Sequence, residues 1–528
     1  MRSVETVLFL VVVATVVATF ARRLRVPAPS LLVVAGVLVG LLPGVPTVRV
    51  TPEIVSLVVL PPLLYAAGKE LPWRDLRAVW RPVTALAVGL VLASAAAVAA
   101  VVVAVTGLSV GMALVLGTVL ASTDPVAVTA LGRKLSLPPR VQALVQAESL
   151  FNDATSLLLF RVALSIAVTV GAVSWGHVAG DFVLLAGGGV LVGAVVAAGV
   201  VLIRRRTTDP VLETVIALVT PYATYVLAEA LHGSGVTAVV VAGVAVGTQT
   251  SRLTSPHTRL QLGAVYQTVV FLLESVVFGL IGLELPTLVR ALSGRGPGWL
   301  LQALAITATL IVVRVLWVFP LAALLRRRGG RGRPSWQVPT VVSWAGARGV
   351  VPLAASLSIP LATDAGTPLP GRDLVLLLST AVIVITLVVQ GFTLAPLVRR
   401  SGIAIAPADV RHEDTVARLH VAQAGLDHLT QLADLELAPD VVIDQLRRRL
   451  QARIDRIETD RAAAINHADI DDPADTGVVA YRALRRDVLS VQRGELDRLY
   501  EAGTISDATR RRVERGLDLE DAGLGDEI

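Results

Sequence analysis

The first 400 residues of this chain are a succession of long Val, Leu and Ala runs, and these runs leave few ways to fold. No water reaches a backbone N–H or C=O inside hydrocarbon, so a spanning segment closes its own hydrogen bonds as an α-helix. A helix needs roughly 17 or more apolar residues to cross. Stretches that meet this length lie near 4–21, 28–46, 52–68, 82–105, 109–132, 141–172, 179–203, 210–231, 235–249, 261–285, 298–325, 335–362 and 373–398. They predict about thirteen membrane spans. The third contains Pro61 and Pro62 and the ninth is short, so both read as tilted or broken. The first stretch could be a signal peptide. However, Arg22, Arg23 and Arg25 follow it and more apolar runs come at once, so it reads as a first span with its N-terminus outside.

Only 17 % of the 528 residues are charged and the mean hydropathy is +0.71. A soluble chain carries about a quarter charged residues. The character changes near Arg399-Arg400-Ser401-Gly402, beyond which charges dominate. Residues 1–400 are therefore expected to form an all-α polytopic membrane domain, and 401–528 a helical tail. Cysteine is absent, which excludes disulfides and thiolate metal sites. The net charge of +6 and pI near 10.1 suggest nucleic acid until the basic residues are placed.

Placed along the spans, they alternate. One set of loops holds Arg22, Arg23, Arg25, Lys69, Arg74, Arg77, Arg81, Arg133, Lys134, Arg140, Arg204, Arg205, Arg206, Arg252, Arg259, Arg326, Arg327, Arg328, Arg331 and Arg333, twenty in all. The other set holds four: Arg49, Arg290, Arg295 and Arg372. Cytoplasmic loops carry the excess of Lys and Arg. The count predicts an outside N-terminus and a cytoplasmic tail, and leaves no basic patch for nucleic acid.

Thirteen spans permit two groups of six related by an inverted repeat, with spans 5 and 12 in corresponding places. Both are interrupted, span 5 by Asp124-Pro125 and span 12 by Gly346-Ala347-Arg348-Gly349-Val350-Val351-Pro352. Proline removes a backbone donor and pushes its predecessor out of the helix, and glycine loosens the chain. Paired interrupted helices point to a transporter's midplane site. Ordinary kinks are the plainer reading, but here a charge sits beside each break.

Span 6 carries Glu148, Ser149, Asn152 and Asp153 within six residues. Ionisable residues inside a span are costly and mark function by default. On a helix Ser149, Asn152 and Asp153 are close enough in angle to line one cavity. With Thr123 and Asp124 from the broken span they offer carboxylate, hydroxyl, amide and freed carbonyl oxygens, the environment hard cations prefer. A partly dehydrated carboxylate resists ionisation unless a cation is present. Asp153 would then hold a proton or a cation but not both, and that competition couples their movements. Glu148 is read instead as the partner of Arg314, a lone cation in span 11. Arg348 compensates a helix C-terminus, serves Glu148 in place of Arg314, or faces Glu274 in span 10; Asp124 is either an ion ligand or a counter-charge for a helix N-terminus.

These residues resemble a known family. TDPVAV, ESLFNDATSLLLF, VRVLWVFP and GARGVVPLA, with PPLLYAAG and YVLAEALHGSGVTAVVVAGV, are similar to the monovalent cation/proton antiporters that include bacterial sodium/proton antiporters and animal sodium/proton exchangers. The resemblance implies a homodimer, crossed spans 5 and 12, and an elevator-like movement. It implies that Asp153 and Asp124 are the essential acids, Thr123 and Ser149 contact the ion, and Glu148 and Arg314 form a buried pair. The Asn152-Asp153 form resembles the electroneutral branch. Prokaryotic members often carry a carboxylate where this chain has Ala66.

In the tail, residues 409–462 and 480–519 have helical composition. His412, His420 and His428 are spaced too widely for a metal, and Arg447-Arg448-Arg449 reads as a solvated face or a contact for anionic lipid. The tail reads as regulatory or dimer-supporting. The leading expectation is an electroneutral Na⁺ (or Li⁺)/H⁺ antiporter of the inner membrane serving pH homeostasis, a secondary transporter rather than an enzyme, with no cofactor. The alternatives are K⁺/H⁺ exchange and a cation sensor signalling through the tail. A channel is disfavoured because no pore-loop filter is evident.

Overall fold

A computed structural model describes residues 28–42, 55–71, 73–124, 137–168, 175–207, 209–253, 256–291, 298–329, 336–362, 367–404, 407–435 and 440–466, with scattered residues at 12–19 and between 488 and 517. The described residues form helices joined by short connections, with no named strand among them. Residues 1–405 and 406–528 are separate compact units.

In the first unit the helices are α1 (Ala28–Leu41), α2 (Leu60–Glu70), α3 (Trp73–Thr84), α4 (Val91–Thr106), α5 (Val110–Ala121), α6 (Pro139–Val168), α7 (Trp175–Arg204), α8 (Pro210–Ala230), α9 (Gly235–Leu253), α10 (Pro256–Ala291), α11 (Gly298–Gly329), α12 (Gln337–Trp344), α13 (Val350–Leu357) and α14 (Arg372–Ser401). Seven described helical stretches are long and apolar enough to cross a membrane, and α1, α5 and Gly235–Gln249 of α9 are shorter apolar helices. Helix therefore lies in every predicted span from the second to the thirteenth; the first is almost wholly outside the described residues.

Pro61 and Pro62 follow a widened, π-helical stretch at Val55–Val59, so the third span is irregular beside its prolines. One local reading changes. Arg204 was counted with loop arginines, but it is buried against Glu213 of α8 with a 3.1 Å contact. The fourth span continues from α3 into α4 through a widened, π-helical turn at Ala85–Leu90.

The helices fall into two groups, each packed more densely within than against the other. One comprises α1, α2 and α7–α10; the other comprises α3–α6 and α11–α14. Small residues allow the closest crossings. Gly36 of α1 lies against Gly279 and Gly282 of α10, and Gly117 of α5 lies against Ala95 of α4. Any Cβ at these glycines would strike the neighbouring backbone.

The second unit contains α15 (Pro407–Asp434) and α16 (Asp440–Asn466). They pack as a helical hairpin on Leu419, Ala422 and Ile454, with Leu426 and Ile457 alongside. The stretch of helical composition over 409–462 falls within these two helices, and most of 480–519 lies outside the described residues. His412, His420 and Arg448 are exposed.

Candidate functional site

Helix α5 is only twelve residues, about 18 Å at 1.5 Å per residue, well short of a bilayer. It stops at Ala121 because Ser122, Thr123 and Asp124 can bond locally to backbone and because Pro125 disfavours helix at the residue before it. Helices α12 and α13 have eight residues each. Between them Ala345–Gly349 is unwound, and Pro352 falls in the first turn of α13, where no intrahelical donor is needed.

The two breaks meet. The Asp124 amide donates to Ala347 O at 2.7 Å. The Asp124 carboxylate lies against Gly349, the residue preceding α13, where an added Cβ would collide with it. An anion is stabilised at that helix N-terminus by the unsatisfied N–H groups and the dipole. The opposite ends carry cations. Arg348 is buried; its Nε donates to Leu120 O in the last turn of α5 at 2.9 Å, and its Nη1 donates to Gly346 O. Its amide donates to Thr386 Oγ1 of α14 at 3.2 Å. The expected alternative, Arg348 facing Glu274, is corrected: the guanidinium goes to backbone carbonyls stranded by the broken helices.

Helix α6 lies beside this crossing and presents two polar faces. On one, Glu148 is 1 % exposed and meets Arg314 of α11. Nη1 lies 2.6 Å from Oε1, and Nη2 donates to Oε2 at 3.0 Å. Arg314 also donates to Val342 O at 3.1 Å and Ala345 O at 3.5 Å, so it stabilises the C-terminal end of α12 as well. On the other face, Asn152 and Ser149 hold the unwound strand. Asn152 Nδ2 donates to Thr123 Oγ1 at 2.6 Å, Thr123 N donates to Asn152 Oδ1 at 3.4 Å, and Ser149 Oγ donates to Thr123 O at 2.5 Å. Ser156 Oγ donates to Thr118 O one turn further along at 2.7 Å. Asn152 thus acts on the strand that carries Asp124, and the cavity lining does not include it.

Asp153 is 7 % exposed, and its Oδ1 is buried with no hydrogen-bond partner among the described residues. It faces a cavity of about 540 Å³, whose polar lining includes Ser122, Thr123, Asp124 and Ser149. Five of the six predicted cluster positions, Thr123, Asp124, Ser149, Asn152 and Asp153, therefore gather at one place. Glu148, the sixth, is turned to Arg314. Ala66 also lines the cavity and supplies no carboxylate.

Sequence reasoning did not assign Glu274 to this cavity, yet it lines the wall that α10 contributes, with Gln267 and Tyr266. Its signal was present: a single acid in the run FLLESVVFG. Lys69, Glu70 and Arg259 complete the charged lining, and the exposure of Glu70 and Arg259 identifies the mouth. The Lys69 ammonium lies 5.0 Å from the centroid of the Tyr266 ring. No group of three or more His, Asp or Glu residues among those described is close enough to hold one metal ion. What the arrangement can do is offer a partly dehydrated carboxylate, hydroxyls and unwound backbone to a small cation that enters through this cavity.

Residues 10–400 match the family model for the transmembrane sodium/hydrogen exchanger. A Mycobacterium tuberculosis protein named as an uncharacterised Na⁺/H⁺ exchanger is 34 % identical, over 98 % of this chain and 96 % of that protein. The Na⁺/H⁺ antiporter ApNhaP of Aphanothece halophytica is 30 % identical, over 82 % of this chain and 81 % of its own. Among solved structures, the sodium proton antiporter MjNhaP1 of Methanocaldococcus jannaschii at pH 8 is similar with a TM-score of 0.61 and 18 % identity, covering 76 % of this chain and 99 % of that one.

Proposed function

Because the chain belongs to the sodium/hydrogen exchanger family, membrane transporters rather than enzymes, we propose that it is a Na⁺/H⁺ antiporter that exchanges one Na⁺ or Li⁺ for one proton at Asp153. The observation that carries this reading is the buried, unpartnered oxygen of Asp153 in the wall of the cavity, beside the crossed breaks. A cation entering the cavity displaces the carboxyl proton, and a proton returning displaces the cation. Each cycle then moves one positive charge each way. Asn152 in place of a second acid fits that one-for-one balance. Thr123, Asp124 and Ser149 surround the ion, with Asp124 also facing the N-terminus of α13.

Alternating access follows if the two helix groups move against one another and carry Asp153 from one side to the other. On the excess of arginine in one set of loops, we read the cavity mouth and the tail as cytoplasmic and the N-terminus as outside the inner membrane. We further propose a homodimer, a role in pH homeostasis and a regulatory role for the tail. The test is dye-reported proton movement in everted vesicles or proteoliposomes on adding Na⁺, Li⁺ and K⁺ in turn. Na⁺- or Li⁺-driven proton release is expected; no cation-dependent movement at any pH overturns the reading. K⁺ is a second substrate to include, since a Bacillus subtilis relative, 30 % identical over 69 % of this chain, is named a sodium, potassium, lithium and rubidium/H⁺ antiporter.

A further inference from the structure

Two buried acids among the described residues have arginine partners: Glu148 has Arg314 and Glu213 has Arg204, all four side chains at most 3 % exposed. Asp153 and Glu274, both in the cavity wall, are not paired in this way. Glu274 is half-buried in α10 and lines the cavity, and it makes no hydrogen bond or ion pair with any described residue. The charges that act on it are both negative, Asp124 from the unwound strand and Glu70 from α2. The two cations of the lining do not neutralise it: Lys69 lies over Tyr266, and Arg259 is exposed at the mouth. An acid left so, with like charges near it, is poorly explained as a structural member. In a water-filled cavity it is available to a cation from outside.

The cavity lining carries four carboxylates (Glu70, Asp124, Asp153 and Glu274) against Lys69 and Arg259. A cleft of one net sign concentrates ions of the other. Among the described residues, no three of these acids come close enough to cage one ion. Glu274 and Asp153 belong to different helix groups, Glu274 to the group of α1 and α2, Asp153 to that of α5 and α13. The unpartnered oxygen of Asp153 is the independent sign that this cavity takes an ion.

We propose that Glu274 is a second cation station, holding a partly hydrated monovalent cation on its way between the mouth and Asp153. The inference rests on the antiport reading. It adds a sidedness to it: when the helix groups move, Asp153 changes face and Glu274 stays with the cytoplasmic one. Glu274 thus sets the affinity for cation presented from the cytoplasm and not from outside.

The test is the half-saturating Na⁺ concentration of Glu274→Gln in everted and in right-side-out vesicles, beside wild type and Glu274→Asp. Loss of one nearby charge in a partly hydrated cavity should raise half-saturation about tenfold in everted vesicles. It should leave the right-side-out value and the maximal rate near wild type, and Glu274→Asp should recover most of the loss. Melting of the purified protein separates a structural role: a lowered melting temperature with unchanged half-saturation overturns the proposal, as does an equal rise on both faces. Should Glu274→Gln fail to fold, Glu274→Ala takes its place: the same rise is expected in everted vesicles, and a wild-type half-saturating Na⁺ concentration there overturns the proposal. If wild type itself moves no protons, the antiport reading fails and this inference goes with it; wild-type exchange with an unaltered Glu274→Gln overturns this inference alone.

Discussion

Helix α6 carries two acids five residues apart, and their surroundings are opposite. Glu148 faces α11 and lies 2.6 Å from the Arg314 guanidinium. Asp153 faces the cavity with an oxygen that no group among the described residues satisfies. A buried charge with a fixed counter-charge has no reason to release it. A buried carboxylate without one exchanges whatever small cation or proton reaches it. The pair holds α6, α11 and the end of α12 together, while the open acid is the one proposed to exchange the ion. The difference between them is therefore a matter of neighbours, since both are carboxylates on one helix.

The sharpest way to break this comparison is to neutralise each acid in turn. Asp153→Asn keeps the shape and removes the titrating charge. Exchange is expected to fall to background, with the purified protein still monodisperse and its melting temperature unchanged or raised. Cation-driven proton movement at the wild-type rate would remove Asp153 from the site.

Gly349→Ala tests the crossing next. Its Cβ has no room beside the Asp124 carboxylate, so the strand or the start of α13 must shift. Misplacing the site by about 1 Å costs on the order of a hundredfold in rate. Dye-reported exchange at saturating Na⁺ measures it, and a wild-type rate would mean that the contact between the breaks is slack.

Glu148→Gln is expected to act on stability. Breaking a buried ion pair from one side costs about 3–5 kcal/mol because the other charge is left uncompensated. The melting temperature should fall by several degrees, and Glu148→Gln with Arg314→Met should recover part of it. Unchanged melting together with an altered half-saturating Na⁺ concentration would make Glu148 a ligand and end the distinction drawn between the two acids.

Much of this was legible in the sequence, for physical reasons that can be named. The breaks announce themselves through Pro125, Gly346 and Gly349, because those residues act on their own backbone. The meeting of Glu148 with Arg314 was legible because lone charges in apolar runs demand partners. Other features depend on which segments cross. Arg348 could have sought an acid, and only the juxtaposition of α5 with the unwound strand gives it Leu120 O. Arg204 looked like one of three loop arginines until α8 brought Glu213 to it. Glu274 was visible as a charge, but nothing in its own segment told which cavity it would face.

Ser149→Ala gives the smallest expected effect and the finest test of how the open face is held. Ser149 Oγ donates to Thr123 O at 2.5 Å, and the same hydroxyl lies in the cavity wall. Removing it loses a contact worth about 1 kcal/mol and frees a carbonyl on the unwound strand. If the hydroxyl is mainly a strut, the half-saturating Na⁺ concentration shifts only about two- to fivefold, the size that such a loss allows, and Na⁺ and Li⁺ shift alike. If it touches the ion, the two cations part company, because the smaller one depends more on each close oxygen. Measuring both ions on Ser149→Ala therefore shows whether the oxygen set around Asp153 begins at Ser149 or beyond it.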